Sequence, residues 1–211
     1  REYQDREAYK AKLRFRWQDG ESIHGLGQAE EGIYNYRNNI QYLFQNNMRI
    51  PMPALVSSQG YGILFDCGSL MTFNDDPRGS FVFLDTVEQL DYYFVVGDTL
   101  DDIIAGFRKL TGKATLLPKW SYGYVQSKEH YRTQDELVDV VKEYRERGVP
   151  LDCIVQDWNT WEPKMWGNKR VDKERYPNLK QAMDEIHDMN VHTMVSVWPN
   201  TSEGSEDYEE F

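Results

Sequence analysis

In the second half of the chain, an apolar segment is followed by one aspartate and three tryptophans that could together bind a ligand. The segment LDCIVQD (151–157) ends at Asp157, and Trp158, Trp161 and Trp166 come closely after it. Aromatic rings stack on the apolar faces of pyranose sugars, and a carboxylate accepts hydrogen bonds from sugar hydroxyls. The combination favours a carbohydrate site, although any one of these tryptophans could equally be a core residue.

The residues between these tryptophans argue for a functional loop. WNTWEPKMWGNK mixes its aromatic residues with polar residues and a glycine, and it follows neither a helical nor a strand period. Asp157 taken alone could equally cap the loop or bind a ligand. Asp157 and the neighbouring tryptophans taken together favour ligand binding.

The segments around this loop alternate between predicted strands and predicted helices from Pro118 onward. The predicted elements are strands at 121–127, 151–157 and 191–199, a helix capped by Thr133 in a capping box with Glu136, and a helix capped by Asn178. This order indicates a parallel α/β sheet, in which active sites form at the carboxyl ends of the strands. Asp157 and Trp198 occupy two such ends.

The first half of the chain predicts a β-rich region. Apolar and basic residues alternate strictly from Ala11 to Trp17, which is typical of a half-buried strand. Further strands are predicted at 53–58, 60–66, 81–85 and 90–96, with turn residues between them. The pattern changes at Thr99, which can cap a helix that ends at Gly112. We interpret this helix as a connector between two domains.

Composition narrows the classes of function. The formal net charge is -11 and the isoelectric point is about 4.9, so a nucleic-acid backbone would be repelled. No apolar run reaches the roughly 18 residues that span a bilayer, and REYQDREAYK lacks the apolar core of a signal peptide. We expect a soluble protein. The sequence begins without Met, so an unseen leader and a cytoplasmic, periplasmic or extracellular location all stay open.

Three weaker patterns carry less weight. GLGQAEEG (25–32) has two glycines of a dinucleotide fingerprint but Glu30 in place of the third, and no clear helix follows it. The four histidines lack metal-ligand spacing, so neither a metal site nor a cofactor is predicted. The acidic stretch from Glu203 to Glu210 is interpreted as a solvated loop or helix start. Because it lies close to the third predicted strand, a substrate-facing role stays open.

Several anchors in the second half resemble glycoside hydrolase family 31, the α-glucosidases and α-xylosidases. LPKWSYGYVQS is similar to the entry into the catalytic barrel, YRERGVPLD to the end of the next helix, and DW to the pair after the next strand. VDKERYPN then precedes a helix and a strand that ends in an aromatic residue and Pro. The first half, from GLGQAEEGIYNYRNN to PMPALVSSQGYGILFD, resembles the mutarotase-like β-sandwich that precedes this barrel.

The resemblance implies an α+β multidomain fold. Residues 1–98 would form the N-terminal mutarotase-like β-sandwich domain and 99–117 a helical connector. Residues 118–211 would form the first three βα units of a (β/α)8 TIM barrel, which is incomplete in this chain.

The resemblance also implies a retaining α-glycosidase. Such an enzyme removes a terminal non-reducing α-linked sugar through a covalent glycosyl-enzyme intermediate, with one carboxylate as nucleophile and another as acid and base. Asp157 would accept hydrogen bonds from hydroxyls of the sugar in the cleavage subsite. Trp158 and Trp198 would wall that subsite, and Trp161 and Trp166 would lie nearby in the loop.

The chain departs from the family in what it lacks. A complete barrel takes about 250 residues, and the family's nucleophile, in a Trp-x-Asp-x-x-Glu-like segment after the fourth strand, is absent here, as is its acid/base. We expect both downstream of Phe211, so no catalytic residue is assigned within this chain. The 211 residues alone are predicted to be inactive and prone to associate, through the incomplete barrel or as a homo-oligomer.

The identity of the sugar is predicted from the aromatic motifs. DWNTW, MWG and SVWP resemble the α-xylosidases more closely than the α-glucosidases. A bulky Trp near C6 would exclude a hydroxymethyl group, a discrimination worth about 1 to 3 kcal/mol. The predicted substrate is therefore an oligosaccharide with terminal xylose. An α-glucosidase or α-transglucosidase of the same family, and a truncated, non-catalytic sugar-binding homologue, stay open as alternatives.

Overall fold

The computed structural model describes residues 2–3, 6–205 and 207–210, which form two compact units. The first unit extends to Ala114 and the second begins at Thr115. Each unit has its own apolar core.

Antiparallel strands make up most of the first unit. Within the described residues they are β1 (Glu2–Tyr3), β2 (Arg6–Glu7), β3 (Tyr9–Phe15), β4 (Ile23–Gln28), β5 (Ile40–Leu43), β6 (Ile50–Ser57), β7 (Tyr61–Phe65), β8 (Met71–Asp76), β9 (Gly79–Val87) and β10 (Tyr92–Val96). β1 pairs with β2. The other strands form two four-stranded sheets in the orders β10-β7-β6-β4 and β3-β9-β8-β5.

The two four-stranded sheets share one apolar core. Leu55, Ile63 and Phe65 of the first sheet and Phe73 and Val82 of the second are all buried in it. Alternate residues of β3 pack against the same core, which explains the strict alternation in its sequence. Burial of apolar surface between two sheets is the dominant stabilising term for such a unit.

Five of the ten strands described in the first unit lie where the sequence predicts them, and five were missed. The predicted strands fall on β3, β6, β7, β9 and β10, with ends that differ by a few residues. The two-residue strands β1 and β2, together with β4, β5 and β8, were not predicted. β8 buries Asn74 and Asp75 among its apolar residues, so polar residues at inward positions hide its period. β4 has few side chains to mark it, because two of its six residues are glycines.

The rejected dinucleotide pattern overlaps β4. Gly25 and Gly27 have φ angles of 99° and 90°, and the pairing of β4 with β6 shifts register between them. A Cβ atom on Gly27 would lie 2.0 Å from the carbonyl oxygen of Ile50. These glycines therefore permit two strands to approach closely and do not begin a phosphate-binding helix.

The helix α1 (Leu100–Thr111) completes the first unit. Thr99 Oγ1 accepts a hydrogen bond from Asp102 N at 3.2 Å, and the Asp102 carboxylate accepts one from Thr99 N at 3.0 Å, which is a reciprocal capping box. The helix buries Ile103, packs against β7 and β10, and ends at Gly112. Its cap and its end agree with the sequence prediction.

A buried carboxylate, Asp75, organises polar side chains in the first unit. It is 5% exposed and accepts hydrogen bonds from Trp17 Nε1 at 3.0 Å, Arg37 Nε at 2.9 Å, Asn38 N at 2.7 Å and Ser80 Oγ. Burial opposes ionisation of Asp75, but these donors outweigh it, so the pKa of Asp75 lies below its ordinary value. Each of its acceptor positions is occupied.

A second buried carboxylate, Glu21, extends this network. It accepts hydrogen bonds from Ser57 Oγ at 2.5 Å, Tyr61 OH at 2.7 Å and Gln18 N at 2.7 Å. Arg37 Nη1 donates to the Glu21 carbonyl oxygen at 2.7 Å and so joins the two carboxylate centres. Burial raises the pKa of Tyr61 to about 12, assisted by its hydrogen bond to Glu21.

A parallel sheet with two helices forms the second unit. In chain order its regular elements are β11 (Val125–Gln126), α2 (Gln134–Glu146), β12 (Cys153–Gln156), α3 (Leu179–Asp188) and β13 (His192–Val195). The sheet order is β11-β12-β13, with both pairings parallel. Apolar residues of both helices pack with Ile154 of the central strand. The predicted alternation of strands and helices is confirmed.

The first strand of this sheet is shorter than the sequence predicts. Lys119–Tyr122 forms a 3-10 helix and only Val125–Gln126 pairs with β12, so the predicted strand at 121–127 is wrong over its first half. Tyr124 N donates to the Asp152 carboxylate at 3.1 Å. The Asp152 side chain thus occupies the N–H of Tyr124, which in a longer strand could bond to the backbone of the neighbouring strand.

The helix caps of the second unit are partly as predicted. Thr133 Oγ1 accepts a hydrogen bond from Glu136 N at 3.1 Å, and Asn178 caps α3. The Glu136 carboxylate, however, binds Arg132 N at 2.7 Å and Lys128 Nζ at 2.6 Å instead of returning to the capping residue. The predicted reciprocal capping box is therefore wrong, because nearer donors in the preceding loop occupy this carboxylate.

Candidate functional site

Asp157 lies directly after the central strand β12, at the carboxyl edge of the parallel sheet. Its Oδ1 accepts a hydrogen bond from Trp158 N at 2.8 Å, and the side chain is half-buried. Oδ2 has no hydrogen-bond partner among the residues that the structure describes. A carboxylate has about four acceptor positions, so Asp157 can still bind ligand hydroxyls.

Four tryptophans form one cluster at this edge, which we call the tryptophan cluster: Trp158, Trp161, Trp166 and Trp198. Every pair of rings has a centroid separation between 5.1 and 6.5 Å, in tilted or edge-on geometry. Such geometries are favourable for aromatic rings. The structure thus brings together all four tryptophans that the sequence singles out, although Trp198 comes from a different loop.

The members of the cluster differ in exposure. Trp161 is 6% exposed, whereas Trp166 is 42% exposed, and Trp158 and Trp198 lie between these limits. The cluster therefore has one interior ring that the others pack around, and three rings that retain accessible surface. It combines the packing of a small core with an apolar surface that can contact a ligand.

The segment 157–178 between β12 and α3, here called the tryptophan loop, is held by Arg175. Its guanidinium donates to the Asn159 carbonyl at 2.9 Å, to the Trp161 carbonyl, and to the Asp172 carboxylate at 2.8 Å. Hydrogen bonding from Arg175 lowers the pKa of the Asp172 carboxyl. One side chain thus fixes the main chain at two places next to the tryptophans, in a loop without a regular backbone period.

Tyr176 connects the tryptophan loop to the sheet. Its buried hydroxyl donates to the Tyr131 carbonyl at 2.5 Å and accepts from Gln156 Nε2 at 3.3 Å. Burial raises the pKa of Tyr176, so the hydroxyl is neutral over the physiological range. These bonds join the loop, the end of β12 and the loop after β11.

His130 belongs to the same site and was missed in the sequence. Its ring centroid lies 5.6 Å from that of Trp158, and its Nδ1 is buried without a hydrogen-bond partner among the described residues. Spacing between histidines is a signal for metal sites and says nothing about a ring packed on an indole. The available signal was its position after the first parallel strand, at the edge where Asp157 also lies.

The acidic stretch 203–210 packs against this site in part. It forms turns, with Glu206 outside the described residues. Asp207 is buried and accepts a hydrogen bond from Arg170 Nη2 at 3.2 Å. Just before the stretch, Ser202 donates through N and Oγ to the Trp166 carbonyl at 2.9 and 2.8 Å. The prediction of a solvated loop is therefore wrong for Asp207.

The chemistry available at this edge is recognition of hydroxyl-rich ligands with apolar faces. It offers a carboxylate oxygen and accessible indole surface, with the His130 ring packed edge-on against Trp158. Among the described residues there is no group of three or more His, Cys, Asp or Glu side chains that could hold a metal ion. In that same part of the chain, no helix combines the length and apolar character needed to cross a membrane.

Comparisons with known proteins agree on one family. The model for the "Glycosyl hydrolases family 31 TIM-barrel domain" matches residues 114–211. An α-xylosidase of Saccharolobus solfataricus is 41% identical over 207 residues, covering 94% of this chain and 28% of that protein. The chain belongs to glycoside hydrolase family 31. A family 31 glucosidase of Pseudescherichia vulneris, described as uncharacterised, is 30% identical over 191 residues. The matched region covers 90% of this chain and 36% of that protein.

The fold of this family 31 chain also matches a solved structure. The crystal structure of a family 31 α-xylosidase from a soil metagenome, complexed with xylose, superposes with a TM-score of 0.85 at 32% identity. The match covers 96% of this chain and 29% of that one. The chain therefore spans about a third of the length of the relatives it matches.

Proposed function

We propose that this family 31 chain is part of a retaining α-glycosidase that hydrolyses terminal non-reducing α-linked xylose from oligosaccharides. The reaction would pass through a covalent glycosyl-enzyme intermediate. The observation that carries the proposal is the Asp157 carboxylate, which keeps an oxygen without a partner among the described residues at the start of a loop of clustered tryptophans. Such an oxygen accepts sugar hydroxyls, and accessible indole surface contacts the apolar sugar face.

Each residue of the site has a distinct proposed role. Asp157 accepts hydrogen bonds from hydroxyls of the sugar in the cleavage subsite, and Trp158 and Trp198 wall that subsite. Trp161, which is buried, supports the two walls, and the more exposed Trp166 lies at the margin. His130 packs edge-on against Trp158 and is expected to hold that indole in place.

The catalytic carboxylates are proposed to lie outside these 211 residues. In this proposal the two antiparallel sheets are the mutarotase-like β-sandwich, and the second unit supplies the first three βα units of a (β/α)8 barrel. The relatives support it, since the chain covers only 28% and 29% of two α-xylosidases. Exposed apolar side chains on β13, Met194 and Val195, are also consistent with further barrel elements that pack there.

The test of the site is Asp157→Ala in the full-length protein, assayed on nitrophenyl α-xyloside. Loss of hydrogen bonds to a charged acceptor should lower kcat/KM by at least about a hundredfold. The fold should survive, because among the described residues this carboxylate bonds to the N–H of the next residue and to no other donor. Asp184→Ala is the matched control: its exposed carboxylate pairs with Lys180 on α3, and kcat/KM should change by less than about twofold. Near-normal turnover of Asp157→Ala would refute the site.

A second candidate substrate is α-linked glucose, which the Pseudescherichia vulneris relative favours by its description as a glucosidase. Exclusion of the C6 hydroxymethyl group by a tryptophan is worth about 1 to 3 kcal/mol, or about a fivefold to hundredfold preference for xylose. Comparison of kcat/KM on nitrophenyl α-xyloside and α-glucoside with the full-length protein decides between the two. A preference for the glucoside would contradict the xylose assignment.

A further inference from the structure

The tryptophan cluster is assembled from two loops, and their junction is held by Lys169. Trp158, Trp161 and Trp166 belong to the tryptophan loop, whereas Trp198 follows β13. Pairing of β12 with β13 ends at Gln156 and Val195, before either loop reaches its tryptophans. The relative position of Trp166 and Trp198, 5.1 Å apart, must therefore be set by contacts between the loops themselves.

Ser202 binds the Trp166 carbonyl across this junction, and Lys169 adds a second set of contacts. Its ammonium group donates to the Gly167 carbonyl at 2.7 Å, the Trp198 carbonyl at 2.6 Å and the Asn200 carbonyl at 2.9 Å. An ammonium group has three N–H donors, and each carbonyl can accept one. One acceptor lies in the tryptophan loop and two lie in the loop after β13, so this single cation bridges the two loops.

At the junction, the backbone at Gly167 lies directly against the backbone at Asn200. Gly167 has a φ of 77°, and a Cβ atom built on it would lie 2.1 Å from the Asn200 carbonyl oxygen. Carbonyl dipoles that point together repel one another unless a cation lies between them. The lysine thus allows carbonyl oxygens of both loops to converge where a neutral side chain would not.

We propose that Lys169 is a positioning residue that fixes Trp198 against Trp166 and thereby sets the width of the sugar site. It touches main-chain carbonyls and acts through the tryptophans, so it is not assigned a contact with substrate. The proposal rests on the proposed function for its effect on substrate, but its effect on the tryptophan cluster does not depend on any activity. This role requires the ammonium group, because it has the three N–H donors that three converging carbonyl oxygens need, whereas a neutral amide has two, and because its charge strengthens each bond.

The test is Lys169→Met in the full-length protein, which keeps the side-chain length and removes the ammonium group. Near-ultraviolet circular dichroism should lose the part of the tryptophan signal that Trp166→Phe also removes, because the rings change their relative orientation. On nitrophenyl α-xyloside, KM should rise about tenfold with kcat within about threefold, since a shift of about 1 Å in a binding wall weakens positioning. Thermal unfolding is recorded for every variant to separate local from global effects.

A second variant and a control make the outcome decisive. Gly167→Ala places a methyl group against the Asn200 carbonyl and should produce the same spectral change without altering any charge. Lys180→Met removes an exposed lysine that pairs with Asp184 on α3, and it should leave both the spectrum and KM unchanged. If Lys169→Met is folded with the wild-type tryptophan spectrum, the positioning role is wrong. If the wild-type protein cleaves no α-glycoside, the proposed function fails, while the spectral comparison still decides the role of Lys169.

Discussion

Each unit of the molecule places a carboxylate beside a tryptophan, and the two carboxylates are used in opposite ways. Asp75 in the first unit accepts hydrogen bonds from two charged or indole side chains, a serine and a main-chain N–H. Within the part of the chain that the structure describes, Asp157 in the second unit accepts a hydrogen bond from the N–H of the next residue and from no other donor. A carboxylate whose acceptor positions are filled stabilises the fold, whereas one with vacant positions can bind a ligand. The number of partners, and not the residue types, distinguishes the two regions.

The tryptophans beside them differ in the same sense. Trp17 stacks on Phe15 at 4.6 Å and donates its indole N–H to Asp75. Within the described part of the chain, the exposed Trp166 makes ring contacts but no side-chain hydrogen bond. A polar atom left unpaired on an exposed aromatic ring costs little, because solvent or a ligand can satisfy it.

The largest expected change in stability comes from removal of the Asp75 carboxylate, whose acceptor positions are all occupied. Asp75→Ala should lower the free energy of unfolding of the first unit by about 3 kcal/mol, because the half-buried Arg37 would lose its ion pair and the part-buried donors Trp17 Nε1 and Asn38 N would lose their acceptor. Amide hydrogen exchange in β3 and β8 measures this loss within the unit. Asp85→Ala is the matched control, since its exposed carboxylate pairs with the exposed Lys10 at 3.5 Å and its loss should cost no more than about 1 kcal/mol. Equal effects of the two changes would contradict the importance of the Asp75 network.

A smaller loss of stability of the first unit is expected when the pH is lowered. Burial opposes ionisation of Glu21, but hydrogen bonds from Ser57, Gln18 N and Tyr61 outweigh it and hold its pKa below the ordinary value. A depressed folded-state pKa contributes stability that is present above the unfolded pKa of about 4.3 and is lost as the pH falls through the folded pKa. The first unit should therefore become less stable below about pH 4.3, and Glu21→Gln should reduce that dependence. Identical acid profiles for Glu21→Gln and wild type would refute this.

The smallest expected changes in stability come from replacing one tryptophan in each unit. Trp17→Phe keeps a ring on Phe15 but loses the hydrogen bond to Asp75, and it should lower the free energy of unfolding by about 1 kcal/mol. Trp166→Phe should change it by less than about 0.5 kcal/mol, since the side chain is 42% exposed. Urea denaturation followed by hydrogen exchange in each unit measures both. A larger loss for Trp166→Phe would reverse the comparison.

The sequence predicted the strands whose inward residues are apolar and missed those whose inward residues are polar or absent. The alternation in β3 and the apolar run in β12 directly report burial on one face or on two. β8 buries Asp75, whose carboxylate binds Arg37 and Trp17, and no local pattern predicts partners that distant in the chain. Tertiary contacts therefore decided the elements that local periodicity could not.

The candidate site was predictable in its position and not in its construction. Asp157 and Trp198 follow neighbouring parallel strands, so the topology alone predicts that they share one edge. His130 follows β11, the first strand of the same sheet, and could have been included by that rule. Lys169 and Arg175 could not, because they bind main-chain carbonyls, which every residue possesses and which no sequence pattern marks.

The dependence of the tryptophan loop on main-chain acceptors has a consequence for how this site can diverge. The carbonyl oxygens that Arg175 and Lys169 bind would be present whatever side chains stood at those positions. The loop can therefore keep its path while the aromatic residues at 158, 166 and 198 are exchanged for larger, smaller or more polar ones. Selection, or a mutant library that leaves the two cations intact, can retune which ligand is accepted without first having to rebuild the scaffold.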